Sequence, residues 1–307
     1  MLIDTHAHVN FSAFKDDADA TVRRALENDI WVVNVGTQID TSRAAVETAN
    51  KYPKSVYAVI GLHPVHTYQQ MLDEEESHFQ TRAEKFDRDA YYQLGQDPKV
   101  VGIGECGLDY YRLPKDGNEE DVKNLQAAAF VAQMELARLL DKALVIHCRP
   151  SVGSQDAYED ILDMLDQFEQ TSRFAESYGV PKRYLRFEIH SFTGSPEIVQ
   201  EFLKRGAYVG LNGIITFDKT GNMQKVVETV PLDHIVLETD SPYLTPVPHR
   251  GQRNEPSYVK FVAEKVAMIK NLSVEEVVRV TTENAKKLFN LNAWTKNIRL
   301  NPYLPKG

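Results

Sequence analysis

VVGIGECGLDYY at residues 100–111 and ALVIHCR at residues 143–149 are two short segments rich in valine and isoleucine. Short apolar runs of this composition are typical of buried β-strands. Between them, EDVKNLQAAAFVAQMELARLLDK at residues 120–142 has the longer apolar repeat of a helix. A strand, a helix and a second strand in this order predict a βαβ unit with parallel strands.

The same alternation extends along the chain in both directions. We predict eight strands, at residues 1–8, 31–36, 56–61, 100–105, 143–148, 185–190, 207–212 and 234–239. The helical segments between them are at residues 16–30, 41–52, 120–142, 156–168 and 195–206, and most open with Asp, Ser or Thr in a capping position. Eight strands that alternate with helices over about 250 residues predict a (β/α)₈ TIM barrel. A doubly wound open sheet is the main alternative.

The domain organisation follows from what interrupts this pattern. No linker rich in Pro, Gly or Ser and no internal repeat is present, which predicts a single barrel domain over residues 1–291 and a C-terminal extension at 292–307. Two insertions, near residues 66–95 and 168–184, lie where loops could shape a substrate groove.

Composition narrows the class of protein. Of the 307 residues, 42% are apolar and 26% charged, which is globular usage. The net charge of −9 disfavours bulk attraction to nucleic acid or anionic membranes, so an anionic substrate needs local cations. Two cysteines form no disulfide framework, and we find neither a cleavable leader nor a membrane span. We therefore expect a cytoplasmic protein with no membrane association and no obligate protein partner.

A pair of histidines ends the first predicted strand, in DTHAH at residues 4–8. Alternate residues of a strand share a face, so His6 and His8 project to one side, with Asp4. Two neutral imidazoles on one face can chelate a divalent cation, although a surface strand could also carry both rings without a ligand.

Four more ionisable residues lie at the carboxyl ends of other predicted strands: Glu105, His147, His190 and, just after its strand, Asp240. The carboxyl ends of parallel barrel strands converge on one face, where active sites are built. Singly, each residue could be a surface group, a helix cap or a salt-bridge partner. Together with His6 and His8 they form a set suited to metal binding, in which Glu105 could bridge two cations ~3.5–4 Å apart. Such a centre lowers the pKa of a water and supports hydrolysis.

Several motifs are similar to those of one known family. They are DTHAHVNF at 4–11, GLHP at 61–64, GECGLDYY at 104–111, IHCR at 146–149, HSFTGS at 190–195, ETDSPYLTPVPHRGQRNEPSYV at 238–259 and TTENAKKLFNL at 281–291. In this order they resemble the TatD family of metal-dependent deoxyribonucleases. The resemblance implies an amidohydrolase-type TIM barrel that hydrolyses phosphodiester bonds in DNA, as an exonuclease, with two divalent cations.

The resemblance also implies roles for individual residues. His6 and His8 would hold one cation with Asp240, Glu105 would bridge, and His147 and His190 would hold the second. We take Asp240 and Glu105 as the catalytic residues, with Asp240 accepting the proton of the attacking water. Zinc, magnesium and manganese remain open, because imidazoles suit zinc whereas phosphoryl chemistry often uses the other two.

Substrate contacts are predicted from side chains near the same strand ends. His63, Arg112 and Arg149 are positioned to contact phosphates, and Arg253 is a further candidate. Taken singly, each arginine could instead be a solvated loop residue, and His63 could be a loop histidine that caps the backbone. We therefore expect sequence-independent binding of DNA. Cys106 and Cys148 each follow a predicted ligand and should point away from the metals as packing thiols. The alternative functions are ester or amide hydrolysis at the same centre and a non-catalytic metal-binding scaffold.

Overall fold

Eight parallel strands dominate the structure, a computed structural model that describes residues 1–69, 71–74, 77–114, 117–176 and 185–291. In chain order the strands are β1 (Leu2–Ala7), β2 (Ile30–Val35), β3 (Val56–Ile60), β4 (Met71–Glu74), β5 (Ser77–Gln80), β6 (Val100–Asp109), β7 (Ala143–Arg149), β8 (Phe187–Ile189), β9 (Tyr208–Leu211) and β10 (Ile235–Leu237). β4 and β5 form a separate antiparallel hairpin. Each of the other eight overlaps one of the eight segments predicted as strands.

These eight strands are neighbours in chain order, β1-β2-β3-β6-β7-β8-β9-β10. A doubly wound sheet reverses its strand order at a switch point, so the alternative prediction is wrong and the (β/α)₈ barrel is confirmed. The barrel is nearly closed by the chain that follows β10. The Asp240 N–H donates to the His6 carbonyl at 2.9 Å, and the His8 N–H donates to the Ser241 carbonyl at 2.8 Å.

Helices connect the strands along the outside of the barrel. They are α1 (Ala18–Glu27), α2 (Ile39–Asn50), α3 (Arg88–Gly95), α4 (Glu119–Leu140), α5 (Asp156–Glu176), α6 (Pro196–Lys204), α7 (Ile214–Phe217), α8 (Asn222–Thr229), α9 (Val259–Lys270) and α10 (Val274–Leu288). Ser195 caps α6 by accepting from the Ile198 N–H, and Ser273 caps α10 by accepting from the Glu276 N–H. No described helix is long and apolar enough to span a membrane.

Two apolar layers hold the barrel together. The larger lies between the strands and the surrounding helices. The smaller is made of alternating strand residues, such as Val33, Val145 and Val236, packed with Phe289 and Leu291 at the end of α10. Since side chains alternate across each strand, this second layer fills the barrel interior below the site and supports the polar residues above it.

The two predicted insertions differ in how far the structure describes them. After β3, a 3₁₀ turn at Pro64–Thr67 leads to the β4–β5 hairpin and then to α3. The second insertion begins within α5, which continues to Glu176, and residues 177–184 lie outside the described residues. The extension at 292–307 also lies outside them, so the boundary at residue 291 stays a prediction.

Candidate active site

A cavity of about 850 Å³ opens at the carboxyl ends of the barrel strands. Eight of the nine predicted site residues line it, namely His8, His63, Glu105, Arg112, His147, Arg149, His190 and Asp240. The ninth, His6, is fully buried against them. The structure therefore brings together the whole predicted set, from strands that are far apart in the sequence.

Four ligand atoms gather on one side of Glu105. Nε2 of His6 and Nε2 of His8 are 3.2 Å apart, and they lie 3.5 and 3.7 Å from Oε2 of Glu105. Oδ1 of Asp240 is 3.8 Å from the first nitrogen and 3.4 Å from the second. Ligands bound ~2.1 Å from a tetrahedral zinc ion are separated by about 3.4 Å. The donor set of two imidazoles and two carboxylates therefore fits a divalent cation.

The other carboxylate oxygen of Glu105 faces a second group of imidazoles. Oε1 is 2.9 Å from Nδ1 of His147, 3.3 Å from Nε2 of His63 and 3.8 Å from Nε2 of His190. His190 also stacks on His6, with ring centroids 3.5 Å apart, and so links the two groups. One carboxylate shared by two sets of nitrogen donors is the arrangement that a bridging ligand requires.

Each imidazole has two ring nitrogens, and a hydrogen bond at one of them determines whether the other can bind a cation. Nδ1 of His8 lies 2.9 Å from the Val35 carbonyl, which only accepts, so Nδ1 carries the proton and Nε2 is left with a lone pair. Nδ1 of His190 lies 2.9 Å from Oε2 of Glu238, with the same result when the carboxylate is ionised. Both rings therefore turn Nε2 toward the site, and Nε2 is the nitrogen that would ligate a metal in the neutral ring.

His147 is held by two carboxylates. Its Nε2 lies 3.1 Å from Oδ2 of Asp109, which leaves Nδ1 to face Glu105. Asp109 is fully buried and also accepts from Arg112, at 2.7 Å. Burial raises the pKa of Asp109, but the hydrogen bond to His147 and the charge of Arg112 outweigh it and hold the pKa below its ordinary value.

His63 has the opposite arrangement of hydrogen bonds. Its Nδ1 accepts from the Val65 N–H at 3.2 Å, because His63 caps the 3₁₀ turn that follows β3. In the neutral ring, Nε2 then carries the proton and donates toward Glu105. Burial lowers the pKa of His63 to about 4, which favours the neutral ring. His63 is therefore a hydrogen-bond donor in this structure, suited to a phosphate oxygen and unsuited to metal ligation.

Electrostatics in the cavity favour ionised carboxylates. Burial raises the pKa of Glu105, but the surrounding imidazoles, His63 first, outweigh it and hold the pKa well below its ordinary value. The pKa of Asp240 is also lowered, because His190 and His8 offset its burial. Burial lowers the pKa of His190, but Glu238 and Asp240 reverse this and raise it to about 10. In the metal-free protein, protonated His190 thus partly neutralises the carboxylates.

Two acidic residues close to the ligands have supporting positions. Asp4 accepts from the backbone and hydroxyl of Thr239, at 2.8 and 2.7 Å, and so fastens β1 to the chain after β10. Glu238 accepts from His190 and the Ser191 N–H. A Cβ at residue 210 would lie 2.6 Å from the Glu238 carboxylate, so Gly210 makes room for it.

The three predicted arginines divide into two groups. Arg112 and Arg149 line the cavity, and the Arg149 guanidinium lies 3.7 Å from the ring centroid of Tyr111, whose side chain is half exposed. Arg253 instead pairs with Asp17, at 2.6 Å, and does not line the cavity. The structure thus keeps Arg112 and Arg149 as candidates for phosphate contacts and gives Arg253 a different partner.

The cysteines are core residues. Cys106 and Cys148 are both buried and belong to the larger apolar layer. Burial raises the pKa of each thiol, which disfavours the thiolate that a metal would need. This is the packing role expected from their position after a predicted ligand.

Sequence reasoning missed three buried acidic residues of the site: Asp109, Glu188 and Glu238. The spacing of each from a predicted ligand could have identified it. Glu188 and Glu238 precede His190 and Asp240 by two residues, and therefore share their face. Asp109 follows Glu105 by four residues, on a strand that continues further than predicted.

Comparisons with known proteins agree with this geometry. A family model described as TatD related DNase matches residues 3–290. The chain is 36% identical over 295 residues to the metal-dependent hydrolase YabD of Bacillus subtilis, covering 95% of this chain and 100% of YabD. It is 29% identical over 297 residues to the 3'-5' ssDNA/RNA exonuclease TatD of Salmonella typhimurium, covering 94% and 99% of the two chains.

The fold is also shared with solved structures. The crystal structure of the TatD homologue YJJV from Escherichia coli K12 aligns with a TM-score of 0.74 and 24% sequence identity, over 94% of this chain and 98% of that one. At this identity the likeness supports the barrel alone. The match of the family model over nearly the whole chain goes further, and with the YabD relationship it shows that this chain belongs to the TatD family of metal-dependent hydrolases.

Proposed function

We propose that this protein is a deoxyribonuclease that hydrolyses phosphodiester bonds at the ends of DNA strands with two divalent cations. The observation that carries the proposal is the position of Glu105, whose two carboxylate oxygens face two separate groups of imidazoles. His6, His8 and Asp240 would hold one cation, His147 and His190 the other, and Glu105 would bridge them. When bound, such cations neutralise the phosphate and lower the pKa of a water to near neutrality.

The protein's own residues supply the proton transfer. Asp240 lies at the cavity surface with a lowered pKa, so it is ionised near neutral pH and can accept the proton of the attacking water. Its backbone has a φ of +56°, a left-handed conformation that aspartate tolerates better than most residues. The hydrogen bonds that Asp240 and Ser241 make across the barrel seam hold it in place.

Substrate orientation falls to three side chains that line the cavity. His63 presents Nε2–H near Glu105, where it can donate to a phosphate oxygen. Arg112 and Arg149 add positive charge close to the metal ligands, in a protein whose net charge is −9. Phosphate contacts of this kind carry no base information, so we infer sequence-independent binding. The name of the Salmonella relative, a 3'-5' ssDNA/RNA exonuclease, supports a substrate with a free single-stranded end.

Stoichiometry and turnover test the proposal together. Elemental analysis after reconstitution with Zn²⁺, Mg²⁺ or Mn²⁺ should give two cations per chain. An end-labelled single-stranded DNA should be shortened from one end, and a chelator should stop the reaction. RNA of the same sequence and a circular single strand should be run beside it, because only a linear substrate offers an end.

Assays on the same reconstituted protein distinguish phosphodiester hydrolysis from the carboxylic ester hydrolysis that other amidohydrolase-type barrels perform. Turnover of an aryl phosphodiester should exceed that of an aryl carboxylic ester, and Asp240→Asn should lose both activities. One cation or fewer with every metal would contradict the bridging role of Glu105. Preferred turnover of the carboxylic ester would contradict the nuclease.

A further inference from the structure

Three of the four imidazoles assigned to cations are supported at their second ring nitrogen. His8 has the Val35 carbonyl, His190 has Glu238, and His147 has Asp109. Partners of this kind fix which nitrogen carries the proton and how the ring is turned, and they raise the basicity of the ligating nitrogen. His6 differs. Its Nδ1 is buried and has no hydrogen-bond partner among the described residues.

Glu188 also lacks hydrogen-bond partners. It lies on β8 with its side chain fully buried, and neither carboxylate oxygen has a hydrogen-bond partner in the described part of the chain. The neighbouring Thr5 hydroxyl donates instead to the Leu237 carbonyl, at 3.2 Å. A fully buried carboxylate without a partner is costly to fold, so its presence in the barrel interior calls for a role outside packing.

The unpartnered groups of His6 and Glu188 lie close together. A ring nitrogen of His6, an oxygen of Glu188 and an oxygen of Glu238 all lie within 4.8 Å of one another. Nε2 of His6 faces the other side, against His8 and Glu105, so the nitrogen toward the carboxylates is Nδ1. Glu238 already accepts from His190 and the Ser191 N–H. Glu188 is the acceptor that remains for His6.

We propose that Glu188 is a positioning residue that accepts a hydrogen bond from Nδ1–H of His6 when Nε2 of His6 holds a cation. A ligating imidazole is neutral and carries its proton on the other nitrogen, so metal binding creates a buried donor at Nδ1. A turn of the Glu188 side chain, or one bridging water, spans the remaining distance. The inference rests on the metal centre proposed above and adds the fourth supporting partner to it.

A positioning role and a purely structural role predict opposite results in the metal-free protein. Leucine at residue 188 replaces an unpaired carboxylate with an apolar side chain, in an interior where Val145 and Tyr208 pair with it from the adjacent strands. The metal-free barrel should therefore become as stable as wild type or more so. The cation site should become weaker, because Nδ1–H of His6 would then have no acceptor.

The experiment compares Glu188→Leu, Glu188→Gln and wild type by two measurements. Zn²⁺ affinity is measured by competition with a chromophoric chelator, and thermal unfolding is measured in excess EDTA. We expect Glu188→Leu to bind Zn²⁺ ~10–100-fold more weakly while its Tm in EDTA stays equal or rises. Glutamine keeps a carbonyl acceptor in the same place, so Glu188→Gln should stay within about threefold of wild type. Neither measurement depends on nuclease turnover.

A matched control removes a buried polar side chain elsewhere. Both side-chain polar atoms of Asn34 on β2 are buried and have no hydrogen-bond partner within the described ranges, so Asn34→Leu makes a similar change and should leave Zn²⁺ affinity unchanged. The proposal is overturned if Glu188→Leu binds Zn²⁺ as tightly as wild type, if it binds no more weakly than Asn34→Leu, or if its Tm in EDTA falls. Wild type that binds no Zn²⁺ would overturn this inference, and wild type that binds none of Zn²⁺, Mg²⁺ and Mn²⁺ would overturn the proposed metal centre as well. Zn²⁺ binding to wild type with no loss in Glu188→Leu would overturn this inference alone.

Discussion

Asp109 lies 3.1 Å from His147, carboxylate Oδ2 to imidazole Nε2, at the end of β6. This contact turns Nδ1 of the ring toward Glu105, and Arg112 holds the same carboxylate from the other side. Asp109 therefore acts on the proposed centre through His147 rather than through the substrate.

Replacing Asp109 tests that role. We expect Asp109→Leu to lower nuclease activity by ~10–100-fold, because outer partners of metal ligands typically contribute that much. Asp109→Asn should lose less, since an amide oxygen can still accept from His147. Arg112→Gln serves as a second comparison, because it removes the guanidinium contact to the same carboxylate together with one of the proposed phosphate contacts. Activity of Asp109→Leu within twofold of wild type would show that His147 needs no such support.

Removing Glu105 should abolish hydrolysis without unfolding the barrel. Its side chain lies at the cavity, whereas the apolar layers that hold the strands do not contain it. We expect Glu105→Ala to retain a wild-type circular dichroism spectrum and to bind one cation or fewer by elemental analysis. Glu105→Gln is the isosteric comparison. If Glu105→Ala kept activity within tenfold of wild type, the carboxylate would have no place in the centre.

The salt dependence of DNA binding tests how an acidic protein holds an acidic polymer. If Arg112 and Arg149 supply the local positive field and neutral His63 only donates a hydrogen bond, few phosphates are neutralised. Each neutralised phosphate on a single strand contributes ~0.7 to the slope of log affinity against log salt, so we expect a slope of about −1 to −3. Binding of a labelled oligonucleotide to Asp240→Asn across a salt series gives this slope directly. Arg149→Gln in the same background should flatten it by less than about one unit, equally for every base sequence. A steep slope or strong sequence dependence would indicate an extended recognition surface.

His66 should make the metal-free protein sensitive to acid. Burial lowers its pKa to about 3 in the folded chain, whereas an unfolded histidine titrates near 6.5. Below pH 6.5 the unfolded chain therefore binds a proton that the folded chain does not, and stability falls as the pH falls. For this one group the loss between pH 8 and pH 5 is on the order of 2 kcal/mol.

Urea unfolding in EDTA at several pH values measures that loss. His66→Leu should lose less stability than wild type between pH 6.5 and pH 5. Between pH 8 and pH 7.5 the two proteins should run parallel, because histidine is then largely neutral in both states. Equal losses below pH 6.5 would show that other groups account for the acid sensitivity.

The barrel and the main site residues could be predicted because both depend on local periodicity. Strand alternation fixes which side chains face inward, and the convergence of parallel strand ends brings Glu105, His147 and His190 together without knowledge of any distance. The His6 and His8 pair follows from the same rule. These predictions needed only the period of two and the convergence of parallel strand ends.

The supporting partners could not be predicted with the same rules. The Val35 carbonyl that holds His8 is a backbone atom on another strand, and no residue type marks it. Glu188 and Glu238 are acidic at inward strand positions, which are expected to be apolar. A search for the apolar pattern of a strand therefore does not identify them as buried residues. Asp109 was missed because the predicted strand ends at Glu105, whereas β6 continues to Asp109. The tautomer of His63 depends on the Val65 N–H, which only the geometry of the following turn supplies.

The seam between β1 and the chain after β10 has a consequence for biosynthesis. The proposed cation site takes His6 and His8 from the first strand and Asp240 from beyond the last, and Asp240 is held through the backbone of His6. A ribosome delivers these residues in order, so the amino-terminal pair emerges long before its carboxylate partner. The proposed site therefore cannot be complete until the roughly 230 residues between His8 and Asp240 have been synthesised. A cation that uses all the ligands of the proposed site would bind only after the last strand has left the ribosome.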